Sequence, residues 1–284
     1  MNKLINRPCL YALIFVLLSL AIQLRNSLAN ETANNAQQAN IAAMLSRVSI
    51  ENLKKTIQQL QSYGNRYTWE KQCSAIRWAM EQFNKNEVRV DLHYYEFNGK
   101  SWPNIIAHVT GTKYPDKIIM LLAHIDSISD DPAKGAPGAD DNASGVAMLL
   151  EMARILHGAP LEYSVFFCIF TNEEQGTQGS KAYVEKIKQE AMNIKAAINV
   201  DTIGYNRPGA VFDLAAVMSQ KTLKYKLKAL VRMMGNYYRS FAGDHVIKIA
   251  GRGVDKVLLT TTAKAIRTAD AGLIVKETID NNCG

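Results

Sequence analysis

Three short segments of this chain are apolar at nearly every position, and such segments are hidden from water only when both of their faces are covered. They are residues 117–123, 163–171 and 196–201. A strand with one wet face alternates apolar and polar side chains, whereas a strand covered on both sides reads as a continuous apolar run. Residues 145–156, between the first and second runs, are apolar on nearly every side except at Glu151 and Arg154, as in a buried helix. Residues 179–190, between the second and third, have the spacing of an amphipathic helix. Buried strands alternating with helices point to an α/β fold: a three-layer sandwich with a mixed, mostly parallel central sheet.

The flanking sequence fits that frame. Residues 50–63 and 71–84 show helical spacing of apolar positions, and residues 88–97 alternate as a half-buried strand does. Residues 104–109 form another short apolar run. Further on, residues 223–234 read as a helix and residues 254–260 as a strand. No Pro/Gly-rich linker interrupts residues 49–284, which reads as a single domain.

The first residues do not read as part of the fold. Lys3 and Arg7 precede an apolar run from Cys9 to Leu24, and Ser27-Leu28-Ala29 offers small residues for cleavage. This is the pattern of a secretory signal peptide over residues 1–29, followed by a polar lead-in over 30–48. It implies an exported protein, periplasmic or secreted, with no stable membrane anchor after cleavage. Losing Lys3, Arg7 and Arg25 lowers the formal charge from +7 to +4, too small an excess to imply nucleic acid. Lys221, Lys224, Lys228 and Arg232 fall at helical spacing opposite Leu223, Leu227 and Leu230, as on a solvated helix face. Without Cys9, three cysteines remain with no metal-type spacing. Cys168 lies in an apolar run and reads as core, while a Cys73–Cys283 bridge is compatible with export.

The chemistry lies where the buried runs end. Four clusters occur in order: His124-Ile125-Asp126, Asp140-Asp141-Asn142-Ala143-Ser144-Gly145, Asn172-Glu173-Glu174 and Asn199-Val200-Asp201. Each has an ordinary explanation taken singly: a structural histidine, a helix cap, a solvated loop, a strand-end acid. Together they place a histidine and six acids at the carboxyl ends of strands or, for Asp140 and Asp141, in the loop that feeds a helix, where open parallel sheets build their sites. Charged side chains there are costly unless a cation balances them, and a pair of divalent metals explains all four clusters. One imidazole with several carboxylates suits zinc, manganese or cobalt. Asp126 falls on the same side of an extended segment as His124 and can accept its second ring N–H. Two successive aspartates before a helix leave one free to face away from it and bridge two cations. Adjacent Glu173 and Glu174 can divide the work, one binding metal and the other serving as general base. Asn142-Ala143-Ser144 matches a glycosylation acceptor, but a loop carrying ligands is a poor place for a glycan.

Over residues 104–205 these words resemble the co-catalytic two-zinc aminopeptidases of the bacterial leucyl and Streptomyces types, relatives of glutamate carboxypeptidases and glutaminyl cyclases. The matching words are Ala123-His124-Ile125-Asp126-Ser127, Pro137 through to Gly145, Asn172-Glu173-Glu174-Gln175-Gly176 and Asn199-Val200-Asp201-Thr202-Ile203-Gly204-Tyr205. The resemblance implies a zinc-dependent exopeptidase fold, two zinc ions, and peptide or protein N-termini as substrates. It implies that Asp141 bridges the metals, that His124 and Asp201 complete one of them, and that Glu174 belongs to the other. It makes Glu173 the general base and Asp126 the partner of His124. The departure comes late in the chain. The family supplies a final histidine ligand where the register here suggests Ile266-Arg267-Thr268, and a guanidinium cannot ligate a cation. His245 is the one histidine after Asp201. The competing expectations are a single-zinc enzyme of glutaminyl-cyclase type and a peptidase-fold protein with impaired catalysis.

Overall fold

The computed structural model describes residues 40, 43–129, 135–204, 245–251 and 273–279. They fall in two units, one ending at Gly204 and one holding the last two strands. The larger unit opens with helices α1 (Ile50–Ser62) and α2 (Trp69–Lys85). Ser49 and Thr68 start them, each accepting a backbone N–H two or three residues into the helix through its hydroxyl. Their inward residues, Leu53, Ile57 and Leu60 on α1 and Ala75, Ile76, Ala79 and Phe83 on α2, recur at helical spacing.

Strands β1 (Arg89–Phe97) and β2 (Lys100–Val109) form a hairpin. Asn98 and Gly99 at its tip both have positive φ, the conformation of the two-residue turn that matches strand twist. That turn lets β2 begin at Lys100, earlier than its apolar run suggests. Then follow β3 (Tyr114–His124), α3 (Ala143–Leu156), β4 (Tyr163–Phe170), α4 (Gln178–Gln189) and β5 (Asn193–Asn199).

The sheet order is β1-β2-β4-β3-β5. β3 runs parallel to β4 and to β5, and β2 runs antiparallel to both β1 and β4. The sheet is therefore mixed, with β2 alone reversed among the described strands of this unit. The two faces of the sheet carry different cores. Ile106, Met120, Cys168 and Phe170 pack with Tyr183 and Ile187 of α4. On the opposite face Phe167 meets Phe83 of α2, ring centroids 6.3 Å apart. Helix, sheet and helix make the three-layer α/β sandwich expected from the alternation. Within α3, Glu151 is buried and accepts hydrogen bonds from both Nε and Nη2 of Arg154. Glu151 also accepts from Ser49 N and from Asn52 Nδ2, so the two polar breaks in the helix tie it to α1.

One element ends earlier than its apolar run. β5 stops at Asn199, so Asp201 stands beyond the strand. The pairing fades gradually, since Val200 N still donates to Leu122 O at 2.8 Å. In the second unit β6 (His245–Gly251) and β7 (Leu273–Ile279) pair in parallel. The helix expected over 223–234, the strand over 254–260, Cys283, Arg267 and the proposed signal peptide lie outside the described residues. No helix among the described residues is long and apolar enough to cross a membrane.

Phe167 has no exposed surface and lies in the central strand of the larger unit. Phe167→Ala should cost about 3–5 kcal/mol through lost burial and the cavity left behind. The shift in the urea unfolding midpoint at unchanged slope measures it.

Candidate metal centre

Because β3, β4 and β5 run in parallel, their carboxyl ends share one edge of the sheet. His124 is the last residue of β3, Glu173 and Glu174 follow β4, and Asp201 follows β5. Asp141 lies in the loop entering α3, next to a cis peptide joining it to Asn142. His124 is buried, with Nε2 3.1 Å from Asp141 Oδ1 and 3.6 Å from Asp201 Oδ1. Its other ring nitrogen, Nδ1, lies 3.4 Å from Asp126 Oδ1, an electrostatic contact too long and misaligned to count as a hydrogen bond.

Asp126 is the anchor of this edge. It has no exposed surface, and its two oxygens accept the backbone N–H groups of Glu173 and Glu174, each at 3.0 Å. The β3 end thereby fixes the loop after β4, which Asn172 enters with φ of +56°. Gln72 of α2 holds the side chain and backbone N–H of Asn172, and Asn172 Nδ2 donates to the Tyr95 hydroxyl at 2.7 Å.

The paired aspartates divide as their succession suggests. Asp140 Oδ1 accepts Gly204 N at 2.7 Å, and its carbonyl accepts the Ser144 hydroxyl. Asp141 turns instead toward His124. The cap of α3 is Asn142, whose Oδ1 accepts Gly145 N and whose Nδ2 donates to Val200 O, both at 2.9 Å. One buried side chain thus joins the Asp141 loop to the segment carrying Asp201. With both polar ends committed and no exposed surface, Asn142 has no room for a glycan. Gly145 is required here, because a Cβ would collide with Asn142 Oδ1 and Val200 O.

The electrostatics call for a positive charge. Burial disfavours the imidazolium of His124, yet Asp126, Asp141 and Asp201 together outweigh it and push its pKa up to about 12. The contact with His124 holds Asp141 below the usual carboxylate range. Glu173 is raised, by burial first and by Asp126, Asp201 and Asp141. Glu174 is pushed up to about 7, again by burial first and then by Asp141. One Nε2 can serve one carboxylate well, and the buried Oδ1 of Asp201 is left without a hydrogen-bond partner.

A divalent cation answers all of these at once. His124, Asp141 and Asp201 each offer a ligand atom, all within 4.8 Å of one another. Ligand atoms about 2.0–2.2 Å from a tetrahedral ion stand roughly 3.3–3.6 Å apart, close to the 3.1 and 3.6 Å separations from Nε2. One nitrogen and two carboxylate oxygens are a donor set zinc accepts. No second such group occurs among the described residues, and Glu174 lies outside this one. His245 opens β6 in the other unit, and Arg267 lies outside the described residues.

Comparison with known proteins identifies the family. Residues 104–256, more than half of the chain, match the sequence profile of peptidase family M28. The chain belongs to peptidase family M28. A probable zinc metalloprotease of Pyrenophora teres f. teres is 30% identical over 189 residues, covering 58% of this chain and 41% of the relative. A probable leucine aminopeptidase of Trichophyton verrucosum is 31% identical over 198 residues, covering 64% of this chain and 52% of the relative. This M28 chain thus spans about half or less of the length of these relatives. Among solved structures, LapB of Legionella pneumophila superposes with a TM-score of 0.61 at 23% identity, covering 85% of this chain and 58% of LapB. A leucine aminopeptidase precursor of Bacteroides thetaiotaomicron gives 0.56 at 16% identity, covering 82% and 79%. These two likenesses show the fold that M28 members share.

Sequence reasoning missed the residues that support the ligands: Arg66, Gln72, Tyr95 and the side chain of Asn142. Arg66, Gln72 and Tyr95 carry no local signal, because each acts on segments distant in the chain, while Asn142 caps α3 locally and also reaches the distant Val200 O. Asn142→Ala leaves the buried Val200 O and Gly145 N without partners and should cost about 1–3 kcal/mol. Urea unfolding of the metal-free protein should show that loss.

Proposed function

We propose that this protein is an exported, zinc-dependent aminopeptidase that removes residues from the N-termini of peptides or proteins. The observation that carries the reading is the convergence of His124 Nε2 with carboxylate oxygens of Asp141 and Asp201, beside the half-buried carboxyl of Glu173. The M28 assignment supports peptide hydrolysis. The relatives described as a probable zinc metalloprotease and a probable leucine aminopeptidase support zinc and N-terminal cleavage. The apolar run after Lys3 and Arg7 supports export.

In this reading His124, Asp141 and Asp201 hold a zinc ion. When bound, zinc supplies a Lewis acid for the scissile carbonyl and lowers the pKa of a coordinated water to about 7 from ~15.7. Glu173 is the general base: its carboxylate takes the proton of the attacking water and passes it to the leaving amine. Asp126 acts through others, keeping the His124 ring in place and fixing the backbone of Glu173 and Glu174. Glu174 is assigned to a second metal shared with Asp141. Its raised pKa means that it needs nearby positive charge to stay ionised near neutral pH. Arg267 in the place of the family's last histidine leaves that second metal short of a ligand.

Purified full-length protein with zinc or cobalt should release amino acid from aminoacyl anilides, and no release with either metal sinks the aminopeptidase reading. Glu173→Gln should lower kcat by about 10²–10⁴-fold, with zinc content by elemental analysis unchanged. Elemental analysis also tests the second site: Arg267→His should raise the metal content from about one ion per chain towards two, as expected when a missing imidazole ligand is restored.

A further inference from the structure

The largest side chain with no exposed surface among the described residues is a cation, and none of its hydrogen bonds goes to an anion. Arg66 Nε donates to Ile125 O at 2.6 Å. Nη1 donates to Leu60 O at 3.0 Å and to Pro137 O at 2.7 Å, and Nη2 to Gly138 O at 3.0 Å. The backbone N–H of Arg66 donates to Ser127 Oγ, which donates in turn to Ala136 O. Ile125 and Ser127 flank Asp126 just beyond His124, while Ala136, Pro137 and Gly138 lead into Asp141. Apart from Leu60, every partner belongs to one of the two segments that bring His124 and Asp141 together.

The chemistry of the group suits that task. A guanidinium has five N–H donors in a rigid plane, and here four of them reach carbonyls on three segments. An ammonium cannot span that spread. The backbone is shaped around the fork: Gly138 has φ of +53°, and a Cβ there would collide with Arg66 Nη2, Ser127 Cβ and Asp141 O. The charge itself opposes a nearby metal cation by simple repulsion. The same charge helps hold Asp141 ionised, so its effects on ligand and cation oppose each other, and the carbonyl contacts carry the positioning argument.

We infer that Arg66 is the positioning residue of the metal centre, its guanidinium setting the spacing of His124 and Asp141 and thereby the affinity and coordination geometry of the cation. The inference rests on the reading of His124, Asp141 and Asp201 as a zinc site. Zinc titration against a competing chelator and the visible spectrum of the cobalt-substituted protein test it, on full-length wild type, Arg66→Met, Arg66→Lys and Ser127→Ala. Both Arg66 variants should raise the zinc Kd by about 10–100-fold and alter the cobalt bands, as loss of groups that orient ligands does. Ser127→Ala should raise it less. A role through repulsion of the cation alone predicts the opposite pattern, tighter binding by Arg66→Met and no change in Arg66→Lys, and would overturn the inference. So would wild-type affinity and cobalt bands in folded Arg66→Lys. Should both Arg66 variants fail to fold, Ser127→Ala decides, and unchanged affinity there overturns it. Wild-type protein that takes up no zinc overturns the metal-site reading itself.

Discussion

Asp126 is a carboxylate with no exposed surface, and the arrangement of the site depends on how its charge is accommodated. Two backbone N–H groups, from Glu173 and Glu174, meet its two oxygens, and the ring of His124 faces it from the third side. A buried anion left without donors is strongly destabilising, so this contact is obligatory. It is also informative in space. It locks the end of β3 to the loop after β4, and it lies 3.4 Å from the near ring nitrogen of His124, whose far nitrogen meets Asp141 and Asp201. A single buried charge thus couples the fold to the chemistry.

Around that anion the ligand-bearing segments are held by side chains bonded to backbone. Arg66 spans the segments of His124 and Asp141, Asn142 joins Asp141 to the segment of Asp201, and Gln72 steadies Asn172 before the glutamate pair. Asn142 and Gln72 are neutral amides that hold a loop without adding charge beside the candidate ligands, whereas Arg66 brings a positive charge that Asp126 and Asp141 feel. The arrangement explains how His124, Asp141 and Asp201 remain close despite the mutual repulsion of two carboxylates. The rigid shell holds the repulsion in place, and a cation relieves it.

Much of this was legible in the sequence. The continuous apolar runs marked β3 and β4 as strands covered on both faces, but β5, the outer strand of the described sheet, leaves Lys195, Ala197 and Asn199 exposed on one face; the alternation with helices marked the α/β sandwich. His124, Asp141, Asp201, Glu173 and Glu174 were all legible as strand-end or loop residues, because acids and histidines directly after buried runs have few structural reasons to be there. Element ends were less legible. The apolar run through Val200 suggested a strand reaching Asp201, but β5 stops at Asn199, where Asn142 turns the chain by capturing the Val200 carbonyl. The hairpin turn at Asn98-Gly99 likewise set the start of β2 against its hydrophobic pattern.

The supporting residues were not legible at all. Arg66 lies in an ordinary polar stretch between two helices, and nothing in its neighbours announces four carbonyls on three segments, two of them distant in the chain. Residue type and local periodicity are properties of adjacent positions, and they determined the strands, the sandwich and the candidate ligands. The grouping of His124, Asp141 and Asp201 apart from Glu174, and the burial of Arg66 and Asp126 at the centre of the site, were decided by tertiary structure alone. Both depend on segments that meet only when the parallel sheet forms.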